Sequence, residues 1–262
     1  MYAFLRLVMR TIVHVYLAGL FTRQGIENVP PGGGLLVCPN HQSTIDPPLV
    51  PAFLPRADAW SMAKSEYFQK RLTAWLFRQY HAFPVVRHTA DRKAVKRAFD
   101  ILAAGQALIV YPEGTRVESG LLEEPEPGAG FLAQKTDLPV LPVALVGTRE
   151  CFPKGARWPR RVPVRLVFGR PFRLPRKDAE GRRVPAQDAS DAVMLSIAEL
   201  LPESMRGKFS DLEGIRARVG HLRMYGADNV PLPLASPPLP AGGPPRRAGR
   251  SGTSPPSGEE SS

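Results

Sequence analysis

Cysteine is nearly absent. Cys38 and Cys151 are the only two in 262 residues, and neither belongs to a Cys-x-x-Cys pair or a histidine-rich cluster. A disulfide framework and a structural zinc site both need several spaced ligands, so neither is expected. A reduced, cytosol-facing protein is the default. There is no Gly-x-Ser-x-Gly elbow for a serine nucleophile, no internal repeat and no Ala-x-Ala-like cleavage site after the apolar N-terminus. The uncharged run from Thr11 to Thr22 falls short of the roughly 20 residues that cross a bilayer. Acidic residues are also short: 24 against 35 basic ones, which leaves a net charge of +11.

The positive charge is carried mostly by arginine, with only eight lysines among the 35 basic residues. Arginine grips phosphate in a bidentate fork and stays charged when partly desolvated. The excess suits a nucleic acid, an anionic membrane surface or a phosphate-bearing substrate. No nucleic-acid-binding motif accompanies it, so no nucleic-acid partner is expected. Hydrophobic residues at 43% and a length of 262 allow one α/β domain with a sizeable core.

Three regions are expected. Residues 1–24 read as an amphipathic helix, with Arg6, Arg10 and His14 spaced i, i+4, i+8 into one polar stripe. The reading is a membrane-interface helix with its arginines toward lipid phosphates; the other reading is a helix packed on the protein's own core. Residues 25–215 alternate short apolar runs with helical periods. Strands are expected at 35–39, 59–63, 82–86, 107–111, 140–146 and 164–168. Helices are expected at 47–54, 65–80, 91–104, 128–137 and 188–201. The fold class is therefore α/β: a single domain with a mixed, largely parallel central sheet flanked by helices. The tail, 227–262, holds nine prolines and many Gly and Ser, and is expected to be disordered.

Two strand ends carry chemistry. After the apolar run 35–39 comes Asn40-His41-Gln42-Ser43-Thr44-Ile45-Asp46-Pro47. Asp46 folded back onto His41 would fix the imidazole tautomer, leaving the other nitrogen to take a proton from a hydroxyl. One His and one Asp are too few ligands for a metal, and none is expected. After the run 107–111 comes Pro112-Glu113-Gly114-Thr115-Arg116, a turn whose glycine permits close approach and whose arginine suits a phosphate. Phe83–Arg87 ends another strand with an arginine. Lys64, just past the strand at 59–63, adds positive charge at the same sheet edge.

In this order, Asn40–Asp46, Phe83–Arg87, Tyr111–Arg116 and Leu138–Val143 resemble the four blocks of the glycerolipid acyltransferases, in particular the bacterial 1-acyl-sn-glycerol-3-phosphate acyltransferases. The resemblance covers roughly Gly25 to Thr148. It implies that His41 and Asp46 are the catalytic dyad. It implies that Glu113, Gly114 and Arg116, with Arg87, bind the acceptor's glycerol phosphate; Thr115 in the same turn and Lys64 at the same sheet edge are counted with them from their position. It implies acyl-CoA or acyl-acyl-carrier protein as donor, lysophosphatidic acid as acceptor, phosphatidic acid as product and no cofactor. It further implies a peripheral or monotopic place on the membrane phospholipid bilayer, at the cytoplasmic face. Two departures, Val86 before Arg87 and the acidic stretch Glu123-Glu124-Pro125-Glu126, leave open another lyso-lipid or glycerol 3-phosphate as acceptor, and the basic charge with the N-terminal helix leaves open a non-catalytic peripheral protein that binds anionic lipid.

Overall fold

Leu35–Pro39 is apolar at every position, and such a strand is stable only where both of its faces are covered. In the computed structural model, which describes residues 1–86, 89 and 91–226, it lies near the middle of one sheet. Arg87 and the tail 227–262 lie outside the described residues. The strands are β1 (Phe21–Gln24), β2 (Leu35–Pro39), β3 (Ala59–Lys64), β4 (Ala82–Val85), β5 (Ala107–Ile109), β6 (Val140–Val146) and β7 (Val164–Phe168). Their spatial order is β1-β7-β6-β2-β5-β3-β4. The five strands from β6 to β4 are parallel; β7 runs antiparallel to β6, and β1 runs parallel to β7. The sheet is thus mixed and mostly parallel.

The helices are α1 (Tyr2–Tyr16), α2 (Asp46–Phe53), α3 (Arg71–Gln79), α4 (Arg92–Ala103), α5 (Gly128–Thr136), α6 (Thr148–Cys151), α7 (Ala186–Leu200) and α8 (Leu212–Val219). Alternate residues of each strand feed two cores. Leu36, Leu108 and Ala144 pack with Ile101 of α4, Leu132 of α5 and Val193 of α7. Val37, Ile109 and Leu141 pack on the other face with Val50 and Phe53 of α2 and Val13 of α1. Because the five central strands run parallel, their C-terminal ends share one edge. His41, Lys64 and the turn at 112–116 follow from those ends.

Helix α1 departs from expectation in the face it shows. Arg6 is 7% exposed, and its Nη2 donates to the Leu54 carbonyl at 2.5 Å. Arg10 Nε donates to the Ala52 carbonyl at 2.5 Å. These carbonyls end α2, where a helix leaves its acceptors unpaired and its dipole negative. The stripe therefore faces the protein, and Arg6 and Arg10 are engaged there rather than turned to lipid phosphates. Phe4, Leu7, Ile12 and Val15 face outward instead, at 61, 61, 54 and 73% exposure.

The helix also stops at Tyr16, short of residue 24. Gly19 turns the chain at φ +75°, and Phe21–Gln24 becomes β1. At the other end, residue 215 falls inside α8. Val219 and Leu222 are buried in the core, and Met224 bridges to Arg173, so the folded unit continues past that point.

Helices α5 and α7 meet at Gly130, whose N–H donates to Ser190 Oγ at 2.9 Å. A Cβ there would lie 2.3 Å from the Ala186 carbonyl oxygen and 2.5 Å from the Ser190 nitrogen. In an open helix Gly→Ala gains about 1 kcal/mol, but overpacking costs about 1–3 kcal/mol. With two backbone atoms within 2.5 Å the cost sits at the upper end, so Gly130→Ala is expected to lower stability by up to about 2 kcal/mol, read as a lower denaturant midpoint. A raised midpoint would show that the two helices can separate freely.

Candidate active site

The site starts from β2. Its last residue, Pro39, leads into a loop that must hold polar side chains beside an apolar core. Asn40 solves this by clasping the neighbouring strand. Its Nδ2 donates to the Leu145 carbonyl at 3.1 Å, and the Leu145 N–H donates to its Oδ1 at 2.7 Å. Asn40 is fully buried and both halves of its amide are paired, so the loop leaves the strand in one direction.

The next residue is held from both sides of its main chain. The His41 N–H donates to Glu113 Oε2 at 2.7 Å, and the His41 carbonyl accepts from the Val117 N–H at 2.9 Å. Gln42 Nε2 donates to the Gly120 carbonyl at 2.8 Å. The turn after β5 therefore positions the loop after β2.

Asp46, at the start of α2, folds back as its spacing required. Its Oδ2 accepts from His41 Nδ1 at 3.0 Å and from the N–H groups of Gln42 and Ser43, both at 2.7 Å. Asp46 is fully buried and His41 is 6% exposed. The Tyr111 ring lies against the imidazole, with centroids 4.2 Å apart and planes tilted by 32°. Burial, and then the charge of Asp46, push the Tyr111 hydroxyl well above the usual phenol range. An imidazole with Nδ1 held by a carboxylate can accept a proton at Nε2 and bear the resulting charge.

Of the residues assigned to a phosphate, Gly114 turns the chain at φ +67°, Thr115 is exposed and Arg116 is half-buried. Arg116 makes no hydrogen bond or ion pair with another described side chain. Glu113 behaves differently. It is 5% exposed, and its carboxylate is turned onto the His41 main chain rather than outward. Lys64 reaches the same sheet edge but pairs with Glu66 at 2.8 Å, both partly exposed. Arg87, the remaining member, lies outside the described residues.

The acidic stretch is largely accounted for by local partners. Lys208 Nζ lies 3.1 Å from Glu124 and 3.7 Å from Glu123. Glu126 packs its side chain over Gly114, where a Cβ would meet its Cγ at 2.9 Å. Asn40 and Tyr111 were not singled out from the sequence. Their signal is position alone: one residue before the histidine, and one before the Pro-Glu-Gly turn.

Burial raises the Glu113 carboxyl from its ordinary 4.5 to about 8; the Asp46 charge adds to the rise and the His41 N–H opposes it. Below about pH 4.5 the group is protonated whether folded or not. Between that value and about 8 only the folded state keeps the proton, so stability falls as pH rises through this window. The limiting slope is about 1.4 kcal/mol per pH unit. Glu113→Gln keeps an acceptor for the His41 N–H and removes the titration. The denaturant midpoint of the variant, relative to the parent, is expected to rise between pH 5 and 8. A constant difference would mean that Glu113 titrates as a solvated group.

Residues 21–146 match the family described as Acyltransferase. The 1-acyl-sn-glycerol-3-phosphate acyltransferase of Bacillus subtilis is 24% identical over 180 residues, covering 68% of this chain and 84% of that protein. The chloroplastic enzyme of the same name from Brassica napus is 29% identical over 137 residues, 51% of this chain and 39% of that longer protein. The crystal structure of the 1-acyl-sn-glycerophosphate acyltransferase of Thermotoga maritima has a TM-score of 0.59 and 28% identity, covering 75% of this chain and 79% of that one. Those strand-end loops fall inside the matched span, so residues 21–146 match the Acyltransferase domain, and the chain is similar to enzymes of that family.

Proposed function

We propose that this enzyme moves a fatty acyl group from a thioester donor, acyl-CoA or acyl-acyl-carrier protein, to the sn-2 hydroxyl of 1-acyl-glycerol-3-phosphate, making phosphatidic acid. The observation that carries the reading is the buried His41–Asp46 contact at 3.0 Å, at the strand edge that also bears Arg116. The relatives' names point to the same acceptor.

In this reading Asp46 holds His41 Nδ1, and Nε2 takes the proton of the acceptor hydroxyl as its oxygen attacks the thioester carbonyl. The tetrahedral oxyanion collapses, the C–S bond breaks, and the thiolate leaves with a proton returned from the imidazolium. No metal or cofactor takes part. Arg116, two residues past Gly114, neutralises the acceptor phosphate, a role that Arg87 shares in this reading. Glu113 acts at one remove, as the brace on the His41 main chain.

A lipid acceptor requires the enzyme to meet a bilayer. Among the described residues no helix is long and apolar enough to cross one. Helix α1 supports contact from one side, because its outward residues are Phe4, Leu7, Ile12 and Val15. A peripheral or monotopic place at the cytoplasmic face follows from that reading.

Acyl transfer to lysophosphatidic acid, followed by mass spectrometry, tests the proposal. His41→Ala is expected to lower kcat by about two to four orders of magnitude. Near-normal turnover would sink the mechanism. Arg116→Ala is expected to raise the acceptor KM about tenfold to a hundredfold, the worth of one charge-assisted contact of about 1.5–3 kcal/mol, with kcat much less affected. Equal loss with an acceptor lacking phosphate would remove its role.

A further inference from the structure

Helix α3 is nine residues long, and it shows the solvent the residues a helix normally hides. Leu72 is 76% exposed, Trp75 48% and Leu76 45%. Their spacing of i, i+3, i+4 puts them on one face. The helical period in this segment would ordinarily mark a core-facing stripe, yet only Ala74 of this helix is fully buried. Tyr67, itself 43% exposed, stacks on Phe77 at 4.9 Å. Lys70, Arg71 and Arg78 are exposed in the same segment.

This surface does not stand alone. The Tyr80 hydroxyl, at the end of α3, donates to the Pro48 carbonyl in α2 at 2.9 Å. The Tyr80 ring meets the Tyr2 ring of α1 edge-on at 5.9 Å, and Tyr2 stacks on His81 at 3.9 Å. Helices α1, α2 and α3 are therefore tied together on one face of the sheet, α1 and α3 meeting at the Tyr2–Tyr80 contact, and both α1 and α3 carry outward apolar residues.

We propose that α3 is a second membrane-contacting element, and that α1 and α3 together seat this face on an anionic phospholipid bilayer. The proposal rests on the reading above that α1 meets a bilayer, and extends it to a second helix. A bilayer is the occupant that fits, because the apolar arc is flanked by cations. Interfacial helices combine leucine and tryptophan below the headgroups with arginine and lysine at their level. Two contacts fix orientation where one helix would leave the protein free to roll. Helix α3 follows from the C-terminal end of β3, the sheet edge that carries His41. Seating it holds the site at a constant height above the lipid.

Binding of the full chain to sedimented vesicles tests this, using phosphatidylcholine alone or mixed with phosphatidylglycerol. Leu72→Glu combined with Leu76→Glu is expected to weaken partitioning at least about tenfold, the loss of one buried leucine side chain or more. Arg71→Gln and Arg78→Gln are each expected to weaken binding to the mixed vesicles about fivefold, with little change on phosphatidylcholine. Lipid brominated in its acyl chains is expected to quench the parent protein's emission, and Trp75→Phe to remove most of that quenching.

Unchanged partitioning of the α3 double variant, with quenching unaffected by Trp75→Phe, would overturn the inference. If Leu7→Glu with Ile12→Glu abolishes binding in that case, the α1 reading stands without α3. If neither pair matters, the membrane reading itself fails. A concentration-dependent dimer that the α3 variant abolishes, with vesicle binding intact, would assign this face to a second copy of the chain. Should the double variant fail to fold, the quenching comparison decides.

Discussion

One carboxylate oxygen organises the site. Asp46 Oδ2 receives a ring nitrogen and two main-chain N–H groups, so a single acceptor fixes the loop from His41 to Ser43 and the imidazole at once. Three donors converging on one buried oxygen leave the loop little freedom to slide. The rest of the edge reinforces that constraint. Asn40 ties the loop to β6, and the Glu113 carboxylate and Val117 N–H tie it to the segment after β5. Three strands therefore vote on where one imidazole stands. Preorganisation of this kind costs nothing at the moment of reaction, because it was completed on folding.

Glu113 shows what the arrangement costs the fold. A carboxyl raised to about 8 is one the protein holds away from water against its own preference. Here the side chain points toward the His41 main chain, and at neutral pH the raised carboxyl keeps its proton, so it brings no charge to oppose an anionic acceptor. Glu123 and Glu124 are likewise drawn off by Lys208. That pair is exposed, and its effect is to redirect charge rather than to stabilise.

Much of this was legible in the chain. Uniformly apolar runs such as Leu35–Pro39 and Val140–Val146 marked buried parallel strands, and strand-end placement of His41 and Arg116 followed. The five-residue offset to Asp46 made a folded-back turn the natural geometry. What stayed hidden depends on partners distant in sequence. Strand β1 has one apolar residue, Phe21, and exists because β7 offers it a ladder. The clasp of Asn40 on Leu145 spans 105 positions. Glu113 could not be distinguished from a ligand of the acceptor, because the same residue in the same turn can point either way.

The N-terminal helix carries the same lesson further. Its period correctly gave a polar stripe and an apolar face, and period alone does not say which of the two meets the protein. The carbonyls of Ala52 and Leu54 decide it. They are orphaned by the end of α2, and an arginine that satisfies them gains more than one left in water. Once Arg6 and Arg10 turn inward, Phe4, Leu7, Ile12 and Val15 have only the outside left. Helix α3 reaches the same state by another route. Only Ala74 of this helix is buried, and Leu72, Trp75 and Leu76 point away from the core. Two unrelated local causes thus leave two helices, joined at Tyr2 and Tyr80, each with apolar residues outside the core. Scattered exposed leucines need no explanation, whereas an apolar arc at helical spacing is what an interaction surface presents.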